Sequence, residues 1–216
     1  MSEINQPQTL PCFQGHPNLL TQTVCQICHT PIYVQEGQKI HAYRIEKILR
    51  AVPYDFKKQR IRSVLTQVRN AQNQRCFLQI IPILPSKIKS IENIQYIHQH
   101  LLHPMIPALY EHWIEGNKQF LVFEWIEGTH LKELMDTKGA LNPQEVHSIA
   151  HQLLQFLVYL QHQTPALIYA DLQPKNLLIQ PNGQIMCVDF EFSTHYQGTL
   201  TPSLGQTREF APLAQR

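Results

Sequence analysis

Charged side chains are scarce in this 216-residue chain, at 16% of all residues against about 25% in typical soluble domains. The net charge is only +2, from 18 basic and 16 acidic residues, which lacks the basic excess of a dedicated nucleic-acid binder. No apolar run approaches the ~18 residues that a membrane-spanning helix needs. The first residues, MSEINQPQ, are polar and include a Glu, so no secretory signal is expected. These absences predict a cytoplasmic protein that binds neither nucleic acid nor membrane.

Apolar residues nevertheless make up 43% of the chain, which is enough for a packed core. The length suits one domain with a small appendage, or two small domains. The five cysteines are an odd number, and without an export signal a disulfide framework is not expected. Three of them lie close to the start of the chain, so a metal site is the first alternative.

The composition changes at residues 33–39, which divides the chain into a short segment, 1–35, and a longer one, 40–216. From Ile40 to Leu84, runs of β-branched and aromatic residues predict three strands, with a hairpin turn at NAQNQ. A helical stretch follows Pro85-Ser86, and a second hairpin turns at Gly116-Asn117.

The clearest predicted helix covers residues 142–163. Asn142 is a good N-cap, Pro143 suits the first helical position, and Glu145 lies three residues after the cap. An apolar stripe then recurs at helical spacing, at Val146, Ile149, Leu153, Leu157 and Leu160. Short β runs come next. This order predicts an α+β protein in two lobes, not a regular βαβ alternation.

The segment from Ile168 to Phe192, IYADLQPKNLLIQPNGQIMCVDFEF, carries the chemistry. Asp171 precedes Asn176 by five positions, and Asp189 ends a β run. Taken singly, each is a common turn residue. Together they supply the hard oxygen ligands that Mg²⁺ prefers beside phosphate and water, and Asp171 is placed to accept a proton from an attacking hydroxyl.

These motifs resemble the eukaryotic-type protein kinases found in bacteria. YADLQPKNLLI is similar to the catalytic loop H-R-D-L-K-P-x-N-L-L-I, and VDFEF is similar to the segment with D-F-G. The stretch from LLHPMIP to HLKELM resembles the region from the regulatory helix through the inter-lobe hinge. GQTREFAPLAQ resembles a degenerate form of the end of the activation segment, which carries A-P-E. The resemblance implies a bilobal protein-kinase-like fold, with an N-lobe at about 40–126 and an incomplete C-lobe at about 127–216.

The resemblance also assigns roles. Asp171 becomes the catalytic base, while Asn176 and Asp189 become ligands of Mg²⁺ bound to ATP. Glu124 and Ile126 become hinge residues whose backbone meets adenine, with Phe123 behind the base. Leu178 would then lie beneath the base.

Several departures from the family's pattern argue against an active kinase. The stretch LRAVPYDFKKQRIRSV, where the family has its glycine-rich loop, contains no glycine. Gln79 stands where a phosphate-binding Lys is expected, and Gln173 replaces the Lys of the catalytic loop. Glu92 is the nearest match to the helix Glu that normally pairs with the strand Lys. Further departures are Tyr169, Ala170, Glu191 and Ala214 in place of the family's His, Arg, Gly and Glu.

We therefore expect a degenerate serine/threonine kinase, or pseudokinase, that acts as a regulatory or binding module with a protein partner. The alternative is an active ATP-dependent serine/threonine kinase, in which nearby basic residues replace the lost charge: Lys57, Lys58, Arg60, Arg62 and Lys175. A lesser alternative is a small-molecule kinase of the aminoglycoside or choline kinase type, since V-D-F-E suits that family.

The amino-terminal segment presents C-x3-H-x8-C-x2-C, formed by Cys12, His16, Cys25 and Cys28. This spacing suits tetrahedral zinc, which would supply the folding energy of a segment with almost no core. It resembles the four-cysteine zinc-ribbon element that precedes the kinase domain in some bacterial kinases, with His29 as a competing ligand. The alternatives are a disordered tail with incidental cysteines and a redox C-x-x-C motif, although the βαβ context of such a motif is missing. Cys76 and Cys187 fall in apolar strands and are expected in the core.

Overall fold

The computed structural model describes residues 9–11, 16–19, 25–27, 34–50, 54–55, 60–61, 63–83, 88–116, 118–190 and 192–196. These residues divide into two compact units, one within Met1–Pro85 and Leu109–Trp125, the other within Ser86–Ala108 and Ile126–Arg216. The second unit therefore takes in 86–108, which the sequence had suggested for the N-lobe. Within the described part of the chain, no helix combines the length and apolar character needed to cross a bilayer.

The described strands, numbered in chain order, are β1 (Thr9–Pro11), β2 (Pro17–Leu19), β3 (Lys39–Ile40), β4 (Tyr43–Arg50), β5 (Tyr54–Asp55), β6 (Arg60–Ile61), β7 (Val64–Arg69), β8 (Arg75–Pro82), β9 (Leu109–Glu115), β10 (Lys118–Glu124), β11 (Thr129–His130), β12 (Leu167–Ile168), β13 (Leu177–Ile179), β14 (Ile185–Cys187) and β15 (Thr194–His195). The described helices are α1 (Ile88–His100), α2 (Leu131–Lys138) and α3 (Pro143–Gln161), with a 3₁₀ turn at Pro174–Asn176.

The first unit is built on a six-stranded antiparallel sheet in the order β3-β4-β7-β8-β10-β9. Side chains of β7 alternate between buried and half-buried positions, as a strand with one core-facing side requires. The predicted turn between β7 and β8 is confirmed. Asn70 Oδ1 accepts hydrogen bonds from the backbone N–H of Gln72 and Gln74, at 3.1 and 2.9 Å, and Asn73 adopts the left-handed conformation with φ of 63°, which Asn tolerates well.

The amino-terminal segment contributes to the same core. β1 and β2 pair as an antiparallel hairpin, and Cys25 is fully buried in the cluster that includes Val34, Ile40 and Tyr43. Cys25 is thus part of the packing of the first unit.

The second unit contains the three helices and three short strand pairings. The predicted capping box of α3 is confirmed, since Asn142 Oδ1 accepts from Glu145 N–H and Glu145 Oε2 accepts from Asn142 N–H, both at 2.9 Å. Phe156 and Leu160 bury the inner face of this helix. Val146, predicted for the same apolar stripe, is 51% exposed instead, because it lies on the first turn of the helix and away from the core cluster.

Cys76 and Cys187 are fully buried, as expected. Burial raises the pKa of the Cys187 thiol to about 12, which keeps it protonated and unreactive. The sequence did not predict α2, which begins directly after β11 and contributes Leu131 as its one buried residue.

Candidate active site

The loop that carries Asp171 begins with a strained backbone turn. Asp171 N–H donates to the carbonyl of Tyr169 at 2.9 Å, and the intervening Ala170 has a φ of 63°. A residue with a Cβ reaches this left-handed region only at an energetic cost. The turn points the Asp171 side chain inward, where it is only 5% exposed.

Two amides hold one oxygen of this carboxylate. Asn176 Nδ2 donates to Asp171 Oδ2 at 2.8 Å and to its backbone carbonyl at 2.9 Å. Gln173 Nε2 donates to the same Oδ2 at 2.5 Å. A carboxylate oxygen offers about two lone-pair sites, so Oδ2 is already occupied. Both amides are almost fully buried, which makes the network part of the loop's own packing.

Tyr169 connects this loop to the strand that delivers Asp189. Its hydroxyl donates to the carbonyl of Val188 at 2.5 Å, and its backbone carbonyl accepts from Ser193 Oγ at 3.1 Å. The ring packs edge-on against Phe190, with centroids 5.0 Å apart. Burial first, and then nearby acidic groups, raise the pKa of Tyr169 well above its ordinary value. The hydroxyl therefore remains a donor across the accessible pH range.

A backbone hydrogen bond links Asn176 to Val188, the residue that precedes Asp189. Val188 N–H donates to the Asn176 carbonyl at 2.9 Å, which places the following residue beside the loop. Asp189 is exposed, with a φ of 66° that costs energy for a residue with a side chain. In the described residues Asn176 Oδ1 accepts no hydrogen bond. An amide oxygen and a carboxylate suit Mg²⁺ chemically, so these side chains fit the ion that the sequence motif implies.

Two predicted nucleotide contacts, Gln79 and Glu124, lie in the first unit. Gln79 is in β8, where its neighbours across the sheet are Leu65 and Leu121. Glu124 ends β10 opposite Cys76. No cationic side chain occupies any of these sheet positions.

The remaining two predicted contacts belong to the second unit. Ile126 is half-buried. Leu178 pairs with His130 and Met186 in a three-stranded sheet, and Gly128 lies so close that a Cβ there would meet Leu178 Cδ2 and approach the Ile179 carbonyl within 2.7 Å. A larger residue than glycine does not fit at Gly128 without movement.

Helix α1 offers no buried carboxylate. Its sole acidic residue, Glu92, is exposed, while Ile94 is 4% exposed. Residues two positions apart on a helix point to opposite sides, so the side of α1 that is buried carries an aliphatic residue. The suggestion that Glu92 fills the role of the family's helix Glu gains no support from this arrangement.

Replacement cations are largely outside the described residues: Lys57, Lys58 and Arg62 entirely, and Arg60 in its side chain. Lys175 is described and exposed. Glu191 and Ala214 also lie outside the described part of the chain.

Two of the four predicted zinc ligands are neighbours. Cys25 Sγ lies 3.7 Å from His16 Nδ1, and Ile27 N–H donates to the same sulfur at 3.4 Å. Cys12, Cys28 and His29 lie outside the described residues. Among the residues that are described, no group of three or more His, Cys, Asp and Glu side chains forms a metal-binding cluster.

Sequence reasoning missed the role of His98 and the hydroxyl contact of Tyr169, both in the second unit. His98 Nδ1 is 2.9 Å from the carbonyl of Pro107, and its ring meets Phe190 edge-on at 5.3 Å. His98, His100 and His103 are close in sequence but not at a clean ligand spacing, so nothing local marked His98. The hydroxyl contact of Tyr169 was equally hidden, because it joins residues 19 positions apart.

Comparison with known proteins agrees with this architecture. The family model of the protein kinase domain matches residues 35–212, so the chain belongs to the protein kinase family, and its α+β fold is of the protein-kinase type.

Among its relatives are a serine/threonine-protein kinase, PrkC, of Bacillus subtilis, 32% identical over 45% of this chain, and an Aurora kinase of Dictyostelium discoideum, 29% identical over 54% of it. A phosphorylase b kinase gamma catalytic chain of Bos taurus is 29% identical over 52% of the chain. The matched stretches span 15%, 30% and 29% of those three proteins.

Proposed function

We propose that this protein is a pseudokinase: a degenerate serine/threonine kinase domain that serves as a regulatory or binding module. The carrying observation is the hydrogen bond from Gln173 to Asp171 Oδ2. A neutral amide, turned inward and engaged with the catalytic carboxylate, stands where a lysine would direct positive charge at the transferred phosphoryl group. Because phosphoryl transfer depends mainly on positioning and electrostatic stabilisation, this exchange removes a main source of rate.

The absence of a second lysine, at the position of Gln79, also supports the pseudokinase proposal. Gln79 replaces the lysine that binds the α- and β-phosphates, and its cross-strand neighbours are leucines. A single electrostatic group of this kind contributes about 2.7–4 kcal/mol to transition-state stabilisation. Two such losses would lower the rate by several orders of magnitude at every magnesium concentration.

Transfer of labelled phosphate from Mg-ATP tests the proposal. We expect the wild-type chain to transfer no more label, to itself or to a general protein substrate, than Asp189→Ala. Magnesium-dependent transfer that Asp189→Ala abolishes would instead establish the alternative, an active serine/threonine kinase. That alternative rests on the retained set Asp171, Asn176 and Asp189. The small-molecule kinase alternative gains nothing, since the matched model is the protein kinase domain.

A thermal shift with Mg-ATP separates loss of catalysis from loss of binding. Nucleotide at a hundred times its Kd would add about 2.7 kcal/mol to the free energy of unfolding. We expect no shift at millimolar nucleotide. A shift without transfer would leave the pseudokinase proposal standing, but with ATP and Mg²⁺ as bound ligands.

We also propose that Cys12, His16, Cys25 and Cys28 bind one zinc ion. Zinc bonds of about 2.3 Å to sulfur and 2.0–2.1 Å to nitrogen, at the tetrahedral angle, separate the two donor atoms by about 3.6 Å. The 3.7 Å between Cys25 Sγ and His16 Nδ1 supports such a shared ion and favours His16 over His29. Cys12 and Cys28 are assigned as zinc ligands from their sequence spacing alone.

Metal analysis of the purified chain, with paired variants, tests the zinc site. We expect one zinc per chain, retained in His29→Ala and lost or much weakened in His16→Ala. Zinc absent from the wild-type chain would remove the proposal, and loss in His29→Ala alone would reassign the fourth ligand.

A binding module also needs a partner, and we propose that it is another protein. Support comes from α3, where Val146, Leu154 and Val158 are 51%, 62% and 50% exposed, since exposed apolar groups on one helix often mark an interaction surface. Sedimentation of the wild-type chain and of Leu154→Glu tests whether that partner is a second copy of this chain bound through α3. The cytoplasmic location remains a prediction.

A further inference from the structure

Six side chains form a regular grid on one face of the sheet in the first unit. Cross-strand registers place Gln67, Phe77 and Phe123 in one row and Leu65, Gln79 and Leu121 in the next. The alternate residues of the same strands, including Val64, Val68, Cys76, Leu78, Phe120 and Val122, bury the opposite face in the core cluster. The six residues, here called the inner grid, therefore share the face opposite that cluster, and two of them, Leu121 and Phe123, are themselves buried.

The inner grid is the side of the sheet that a nucleotide would have to use. Matching CFLQ to the V-A-I-K pattern puts Gln79 on the phosphate-binding Lys and Phe77 on the alanine. Phe123 directly precedes Glu124, the first hinge residue. A nucleotide held by the hinge and reaching the Gln79 position would thus cross the row of Phe77 before the row of Gln79, about 7 Å further along the strand.

Phe77 introduces a bulky ring where that pattern has a methyl group. Its centroid lies 6.3 Å from that of Phe123, with the rings inclined by 40°, within the range of favourable aromatic pairs. Phe123 is only 6% exposed and Phe77 is half-buried. The hinge end of the inner grid is therefore filled by two rings that stabilise one another.

The grid also lacks charge that could attract phosphate. All six side chains are neutral, and Glu46, whose Oε2 accepts from Gln67 Nε2 at 2.7 Å, is already ion-paired with Arg69. The row of Phe77 therefore opposes a nucleobase by shape, and the row of Gln79 offers phosphate no positive charge.

We propose that Phe77, packed on Phe123, excludes the nucleobase from the inner grid, so that the protein rejects nucleotides by shape at Phe77 and by charge at Gln79. This inference rests on the proposed pseudokinase function and specifies how its nucleotide site is closed. The steric obstacle at Phe77 and the missing charge at Gln79 can be removed one at a time, because each depends on a single residue.

Four full-length proteins test it: wild type, Phe77→Ala, Gln79→Lys and the double variant, each titrated with adenosine and with Mg-ATP by calorimetry. We expect no binding by wild type or by Gln79→Lys. Phe77→Ala should gain at least tenfold in affinity for both ligands, with adenosine and ATP bound equally because position 79 is still neutral. The double variant should prefer ATP over adenosine.

Phe77→Leu is the matched control, since it keeps an apolar side chain of considerable bulk and should gain less than Phe77→Ala. Circular dichroism and urea unfolding check folding, and Phe77→Val, which favours strands, replaces the alanine variant should that variant unfold. No gain in a folded small-residue variant, or ATP binding by Gln79→Lys alone, would overturn the role of Phe77 and leave the pseudokinase proposal intact. If wild type binds ATP and Phe77→Ala weakens that binding, the ring supports the base and the exclusion is overturned. Phosphate transfer by wild type would overturn the pseudokinase proposal instead.

Discussion

Lowering the pH should destabilise this protein through His98. Burial lowers the pKa of His98 from 6.5 to about 4, although the hydrogen bond from its ring to the Pro107 carbonyl acts in the opposite direction. The folded state therefore holds a neutral ring at pH values where the unfolded chain already binds a proton. Above pH 6.5 the imidazole of His98 is neutral in both states, so its burial costs no stability. Between pH 6.5 and 4 the unfolded chain binds a proton that the folded state does not, and the free energy of unfolding falls.

The size of the effect follows from the two pKa values. A proton that binds at 6.5 in the unfolded chain and at about 4 in the folded one lowers the free energy of unfolding by about 2 kcal/mol between pH 7 and 5, and by about 3 kcal/mol at pH 4. A loss of this size is a large fraction of the 5–15 kcal/mol that typically stabilises a domain.

The assay is urea unfolding at pH 7 and pH 5 for wild type and His98→Asn. The Asn amide can still donate to the Pro107 carbonyl but does not titrate, so other histidines, including His103, contribute equally to both proteins and cancel in the comparison. We expect wild type to lose about 2 kcal/mol more than the variant. Parallel losses in the two proteins, with unchanged denaturant slopes, would refute the assignment of a buried neutral ring to His98.

Three further changes probe the second unit by urea unfolding. Tyr169→Phe removes the buried donor to the Val188 carbonyl and should cost about 1–3 kcal/mol; an unchanged midpoint would mean that water replaces the hydroxyl. Gly128→Ala should cost about 1–3 kcal/mol, because its Cβ meets Leu178 and backbone must shift; a neutral result would show that the Leu178 side chain moves aside freely. Asn142→Ala should lower stability by about 1 kcal/mol through loss of the α3 cap, and a change below 0.3 kcal/mol would contradict the capping role.

Features encoded within a few residues were predictable from the sequence. The α3 capping box depends on Asn142 and Glu145 at fixed spacing, and the turn before β8 depends on Asn70 and its neighbours. The loop from Asp171 to Asn176 was equally accessible, because the side chains that define it are five positions apart and its hydrogen bonds close within the loop.

Features that depend on register were not predictable. Nothing near Phe77 in the sequence indicates that Phe123, 46 positions later, will lie opposite it, since a shift of one residue would send either ring to the other face. Helix α2 was not predicted because it has eight residues and one buried side chain, which give little hydrophobic periodicity in the sequence. His98 gave no signal either, since burial rather than spacing sets its properties.

Retention of Asp171 and Asn176 has a structural explanation that does not require catalysis. Asn176 Nδ2 bonds to both the side chain and the backbone of Asp171, and its own carbonyl accepts from Val188 N–H. Under the pseudokinase proposal, the lysines that Gln79 and Gln173 replace would act on phosphate, and their replacement removes none of these bonds.

This explanation predicts that Asn176→Ala lowers the free energy of unfolding by about 1–3 kcal/mol even without any ligand, because Asp171 loses two bonds in a buried site. Lys175→Ala, an exposed neighbour in the same loop, is the matched control and should stay within about 0.5 kcal/mol of wild type. Equal stability of the two variants in urea would mean that Asn176 contributes little to folding. If the chain uses no phosphate-directed lysines, as the pseudokinase proposal holds, the presence of Asn176 would then point to a bound metal ion, which adding Mg²⁺ to wild type and Asn176→Ala would reveal as a stabilisation of wild type alone.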